Sequence, residues 1–417
     1  MKKQILILAF ALPLVTEGAF LALAEMPAEE ALSLEEALGV AYLNNPEMIE
    51  AREEVAASKG RWIQAEALPD PEIEFDIGGL KEQEGHLDSF AVKQPLDPLG
   101  TRFLRGRIGW DEVRIAKSGV ELVWAEVRKK VIELYARILA EEKAQEIAQD
   151  NLNATRQFFI RVETRYQAGG ALQSEVIRSK IEVSRSENDF LVTQTNLKVS
   201  QGELNLILGR PVESPLFLRD SLTYEALQYE YEGIKGSALT QRADLRAEKT
   251  RLSAKKKGFW SALLKTLFPK MAIGVERTTE DFENDTAILL EASYPLWGFN
   301  LGEVKEAKAE KEKQQVHLEA FERQVGLEVY QAFLEAELAD KQVLLQKKAI
   351  EEANELLRQI TLRYEEGEIP FLAYLENIKT IKETRLAYFN ALRNYMEKVA
   401  ELEKVIQVTP VPKGVKP

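Results

Sequence analysis

Glu72, Glu74 and Asp76 alternate with Ile73, Phe75 and Ile77, so an extended backbone puts three carboxylates on one face and hydrocarbon on the other. Side chains arranged this way line a surface and attract cations; they do not make or break bonds. Little else in the chain offers bond chemistry. The 417 residues contain no Cys, which removes disulfides, thiolate metal sites, cysteine nucleophiles and a lipidated N-terminal Cys. The two His, His86 and His317, are far apart, and no His-Glu-x-x-His occurs. No Gly-rich loop ends in Lys-Ser/Thr, so the chain has no nucleotide-hydrolysing motif, and the five Met are scattered rather than set as a soft-metal relay. With 68 acidic against 55 basic side chains, a net charge of −13 opposes nucleic-acid binding, which gains its affinity by neutralising phosphates. These features predict no enzyme, no metal site and no cofactor.

The elements that carry these residues are legible from punctuation and period. Strict alternation defines a strand over 71–78, and a polar turn over 81–86 leads to a return strand over 87–94. Phe90 and Val92 fall on one side of that strand, Ala91 and Lys93 on the other. A second pair is predicted over 269–277 and 286–294, with Ile288, Leu290 and Tyr294 on one face. Ser33 and Glu36 form a capping box, which starts a helix expected to run to about Leu68, where Pro69-Asp70-Pro71 stops it. From Thr101 to Gln167 there is no Pro, and at 1.5 Å per residue the segment predicts a rod of about 100 Å. Residues 299–366 match it in length and composition. Gly169-Gly170 and Gly367 end the rods, with Arg165 and Arg363 in the last turns to complement the helix dipole, and shorter helices return to Gly209 and Gln407.

The chain also repeats itself. Val127, Val131, Tyr135, Arg165-Tyr166, Gly169 and Leu204 recur as Val325, Val329, Phe333, Arg363-Tyr364, Gly367 and Leu402, all at an offset of 198. Pro71, Ile73, Phe75 and Ile77 recur at the same offset as Pro269, Met271, Ile273 and Val275. Shared Pro, Gly and Arg-Tyr punctuation over that span reads as a tandem internal duplication. Residues 1–24 have a Lys2-Lys3 start, an apolar run and an Ala22-Leu23-Ala24 ending, the marks of a cleaved signal peptide. The expected organisation is a signal peptide (1–24), a first repeat (25–209), a linker (210–235), a second repeat (236–407) and a disordered tail (408–417).

Four strands of this length suit a tilted membrane barrel, yet the smallest membrane barrels have eight and open edges are excluded from lipid. A barrel must then be built from several chains, and three would supply twelve strands. Glu72, Glu74 and Asp76 would face the lumen; Ile73, Phe75, Ile77, Ile288 and Leu290 would face lipid. A soluble sheet packed on helices shows the same alternation and is the competing reading of the strands alone.

The whole layout resembles the outer-membrane efflux (TolC-like) channel-tunnel family. The residues that carry the resemblance are Leu34-Glu35-Glu36-Ala37-Leu38, Asn44-Asn45-Pro46-Glu47, Leu68-Pro69-Asp70-Pro71, Gln94-Pro95-Leu96, Arg165-Tyr166-Gln167-Ala168-Gly169 and Arg363-Tyr364-Glu365-Glu366-Gly367. It covers roughly residues 32–407. It implies a mainly α fold with a membrane β-barrel part: a homotrimer with a twelve-stranded barrel in the outer membrane and a long α-helical barrel in the periplasm. It also implies a periplasmic adaptor (membrane fusion) protein and an inner-membrane pump as partners. The tip turns, Arg165, Tyr166, Gly169, Arg363 and Gly367, would dock the adaptor, and Tyr364, Glu376 and Glu175 would form the periplasmic entrance. This sequence departs from the family at Ala373, where relatives carry the first entrance acid, and at Ile369, where some carry a latching Arg. Lys255-Lys256-Lys257 beside Trp260 fits either anionic headgroups or a solvated helix end, while Tyr294 and Trp297 are candidates for an aromatic girdle. The function expected is an outer-membrane efflux duct; the alternatives are the exit duct of a protein-secretion system and a pore-less periplasmic coiled-coil protein.

Overall fold

The computed structural model describes residues 31–78, 86–280, 283–294 and 299–407. The expected signal peptide, most of the 81–86 turn, Trp297 and the tail lie outside the described residues. Ser33 caps α1 (Leu34–Asn44): its hydroxyl accepts from the Glu36 N–H at 3.3 Å, while the Glu36 carboxylate accepts from the Ser33 N–H at 2.8 Å. The single helix expected to reach Leu68 is in fact two. Pro46 offers no N–H and holds Asn45 in extended backbone, so the chain turns there and α2 (Pro46–Glu66) begins. The Asn45 side chain caps α2 by accepting from the Met48 N–H at 3.3 Å and donates to the Ile207 carbonyl at 2.9 Å.

Strands β1 (Glu72–Gly78) and β2 (His86–Leu96) lead into α3 (Thr101–Gln167), a 67-residue helix that turns back through α4 (Gln173–Ile207). After an extended segment comes α5 (Tyr231–Gln241), which starts inside the stretch read as linker, and then α6 (Ala243–Leu267). The extended residue between them is Arg242, whose guanidinium holds Asp244 at 2.6 and 3.0 Å. Strands β3 (Lys270–Glu280) and β4 (Glu283–Ser293), the 65-residue α7 (Leu301–Glu365) and α8 (Phe371–Ile406) complete the same order of elements.

The helices lie side by side in a single row. On one side of the middle the order is α2, α3, α6, α7; on the other it is α4, α3, α8, α7. The antiparallel sheet, ordered β1-β2-β3-β4, continues the first row because each strand joins the helix in the same place. Heptad spacing holds the row together. Trp124, Val127, Val131, Leu134 and Ile138 of α3 and Val325, Val329, Ala332, Ala336, Ala339 and Val343 of α7 are buried at alternating steps of three and four. Around the middle, α1, α5 and residues 217–229 form a belt over one face of the row. Leu32 pairs with Leu218, and the Asp220 carboxylate accepts from the Leu34 N–H at 2.8 Å and the Tyr135 hydroxyl at 2.9 Å. Tyr224 donates to Asp340 at 2.7 Å, and Tyr395 donates to the Glu225 carbonyl at 2.7 Å. Among the described residues no helix is long and apolar enough to cross a membrane.

Candidate functional site: the two sheet faces and the tip turns

Register assigns every strand residue to a face, because directly opposed residues point the same way. Glu72, Glu74 and Asp76 pair with Lys93, Ala91 and Ser89, which pair in turn with Gly274, Glu276 and Thr278. The last three oppose Leu289, Ala287 and Asp285. This face is rich in carboxylates. Its reverse carries Ile73, Phe75, Phe90, Val92, Met271, Ile273, Val275, Ile288 and Leu290. Among the described residues nothing covers that apolar face: Ile288 is 80% exposed and Leu290 71%. The alternation read from sequence thus extends coherently over four strands. Ile77 keeps its pairing with Leu87 after a bulge at Asp76/Ile77, but its side chain lies outside the described residues.

Lys93 is the residue on the acidic face that sequence reasoning placed but did not value. Its ammonium lies 2.7 Å from Glu74 on β1 and 2.7 Å from Glu291 on β4. Reaching β4 from β2 means crossing β3, which it does at Gly274, the residue directly opposite. A Cβ at 274 would sit 3.1 Å from the Lys93 Cγ and 2.7 Å from the Val92 carbonyl. Only the inter-strand register reveals this contact.

At the opposite end, both rods finish in the same hydrogen-bonded turn. Gly169 (φ +79°) donates to Tyr166 and Gly170 to Arg165, at 2.9 and 2.8 Å; Gly367 (φ +76°) donates to Tyr364 and Glu368 to Arg363, at 3.1 and 2.8 Å. This is the Schellman arrangement, in which a left-handed residue satisfies the last carbonyls. Arg165 and Arg363 are exposed in the last turns, and Arg363 pairs with Glu368 at 3.2 Å. Glu175 accepts from the Leu172 N–H at 3.3 Å, which stabilises the start of α4. Tyr364 is half-buried between Phe158, with ring centroids 5.9 Å apart, and Tyr374, stacked at 4.5 Å. Burial raises its phenol above the ordinary range, against the pull of Arg161 and Arg165. The structure thus brings Tyr364 near Glu175, while Glu376 stands exposed on α8 with no ion pair among the described residues. Phe158 and Tyr374, which fix Tyr364, were missed because they come from two other helices. Ile369 packs with Ala353, Ile360 and Ile381, so it fills a small apolar core.

Below the sheet, Trp62 and Trp110 lie 4.9 Å apart, with Gly109 allowing α2 and α3 to approach. Trp260 is exposed, and the Tyr294 hydroxyl donates to the Thr266 carbonyl at 2.9 Å. Of the basic run, Lys257 belongs to neither expected reading, since it pairs with buried Asp111 of α3; Lys255 pairs with Glu310 at 3.1 Å, and Lys256 is exposed.

A row of four helices is thus continued by a four-stranded sheet that is acidic on one face and apolar on the other. Residues 235–406 match the outer membrane efflux protein family. The chain is 21% identical over 386 residues to the cobalt-zinc-cadmium resistance protein CzcC of Cupriavidus metallidurans, covering 90% of each chain. Its fold superposes on CusC with a TM-score of 0.74 at 15% identity, covering 89% of this chain and 91% of that one. On the open-state outer membrane channel MtrE of Neisseria gonorrhoeae the TM-score is 0.74 at 18% identity, covering 89% and 88%. Residues 235–406 thus carry the outer membrane efflux protein signature, and the chain along most of its length is similar to outer-membrane efflux channel components in sequence and in fold. That family consists of conduits, not enzymes.

Proposed function

We propose that three copies close into one duct: a twelve-stranded barrel through the outer membrane continued by a helical tunnel in the periplasm. The observation that carries this reading is that every open edge falls on the same two sides. One side is β1, α2 and α4; the other is β4 and α7. Both sides bear uncovered apolar stripes at heptad spacing, Val192, Val199 and Leu206 on α4 against Leu327, Leu334, Leu338 and Leu345 on α7. Burying one such side chain stabilises by roughly 1.5–3 kcal/mol, so a chain alone forgoes many such contributions. In the closed assembly Glu72, Glu74 and Asp76 line water, while Ile73, Phe75, Ile288 and Leu290 meet lipid. Two copies of one element order, offset by 198 residues, follow from a tandem duplication and give the ring its pseudo-sixfold wall.

Each closed ring presents six tip turns built on Arg165, Tyr166 and Gly169 or on Arg363 and Gly367, and these dock a periplasmic adaptor that connects to an inner-membrane pump. Tyr364, Glu376 and Glu175 narrow the entrance. Energy comes from the pump; this chain lines and gates. The cargo class we infer is a metal cation, supported by the likeness to CzcC over 90% of both chains and by the carboxylate-rich face. Reconstituted in a planar bilayer, the protein should give discrete, cation-preferring conductance steps. Protein incorporated in the bilayer but giving no steps would refute the duct.

A further inference from the structure

The acidic sheet face carries six described carboxylates, Glu72, Glu74, Asp76, Glu276, Asp285 and Glu291, and two bases, Lys93 and Lys270. Lys270 opens β3 at the helix end of the sheet; Lys93 alone sits among the acids. Its single ammonium binds two carboxylates from the two outer strands, at 2.7 Å each. The Lys93 side chain is only 14% exposed, although its partners Glu74 and Glu291 are exposed, because it lies down across the notch at Gly274. The clamp therefore spans the whole sheet, from β1 to β4.

We propose that Lys93 sets the ion preference of the duct within the barrel, by withholding Glu74 and Glu291 from passing cations. This rests on the trimeric-duct reading above. Exposed charges are screened beyond about 8 Å, so which carboxylates remain unpaired at the wall decides what a passing ion feels. The clamped triad carries a net charge of −1 in each chain. Removing the ammonium makes it −2, and removing both carboxylates makes it +1.

The test is the reversal potential of single channels in a KCl gradient. Lys93→Met should raise the cation-to-anion permeability ratio at least about two-fold, since one extra charge at about 8 Å in water favours cations and disfavours anions by roughly that factor each before salt screening. Glu74→Gln with Glu291→Gln should shift the ratio the opposite way, and Lys93→Arg should leave it unchanged. Adding both Gln substitutions to Lys93→Met leaves the triad neutral and should place the ratio between those of the unmodified protein and the double Gln variant. Unchanged reversal potentials in Lys93→Met or in the double Gln variant would overturn the proposal. If Lys93→Met fails to insert, the double Gln variant alone decides. An unmodified protein that conducts nothing would instead defeat the duct reading, so the two failures are distinguishable.

Discussion

Asp111 is 1% exposed on α3 and holds Lys257 of α6, with Arg114 standing off at 3.6 Å. Breaking such a pair from one side leaves the buried Asp111 charge with only the longer contact to Arg114. Lys257→Met should therefore cost about 3 kcal/mol or more, whereas Lys256→Met, on an exposed neighbour, should stay within about 0.5 kcal/mol. Denaturant titration followed by circular dichroism separates the two. Gly367 meets nothing within 4 Å of a built Cβ, so Gly367→Ala strains only its φ of +76°. That should cost about 1–2 kcal/mol locally and show as faster amide exchange at the tip with the distant sheet unaffected. What was legible at this scale was whatever the local chain decides. Gly169 and Gly367 were readable because a helix end announces itself within six residues. Lys257, Lys93 and Gly274 were not, because their partners lie 146 residues away or two strands across, and no local pattern encodes register.

At the scale of elements, period and punctuation located both rods and all four strands to within a few residues. They missed the divisions at Asn45 and Arg242, where a capping residue and an ion pair end one helix and start the next without a break in apolar spacing. Those divisions matter because they let α1 and α5 leave the row and join the belt. The belt is closed by phenols. Burial, with carboxylates nearby, raises Tyr224, Tyr229 and Tyr395 to about 12 from an ordinary 10.0. It is the neutral phenol that the fold favours. The belt's contribution is therefore whole below pH 10 and is lost as pH rises through about 12. Tyr224→Phe with Tyr229→Phe should flatten the alkaline fall in stability measured by thermal melts, at a cost of about 1 kcal/mol per lost hydrogen bond near neutral pH. An unchanged alkaline profile would mean that the belt phenols do not govern it.

At the scale of the molecule, a single chain is a wall with two raw edges and an oily upper face. The alternation at 72–77 forecast this, since a sheet of four strands with one hydrocarbon face has no closed form by itself. The chain could not announce which surfaces meet, because the heptad stripes of α4 and α7 look in sequence like any exposed helix face. Leu338→Glu with Leu345→Glu should leave helix content unchanged and abolish assembly, because each buries a charge in an apolar seam. Helical, fully assembled protein after that change would place the seam elsewhere. The central claim is that the duct is completed by three chains. The direct measurement is the native mass of the detergent-solubilised protein, corrected for bound detergent. A mass of three chains, each at most 47.2 kDa, is the result predicted. A stable monomer, soluble without detergent, would contradict it.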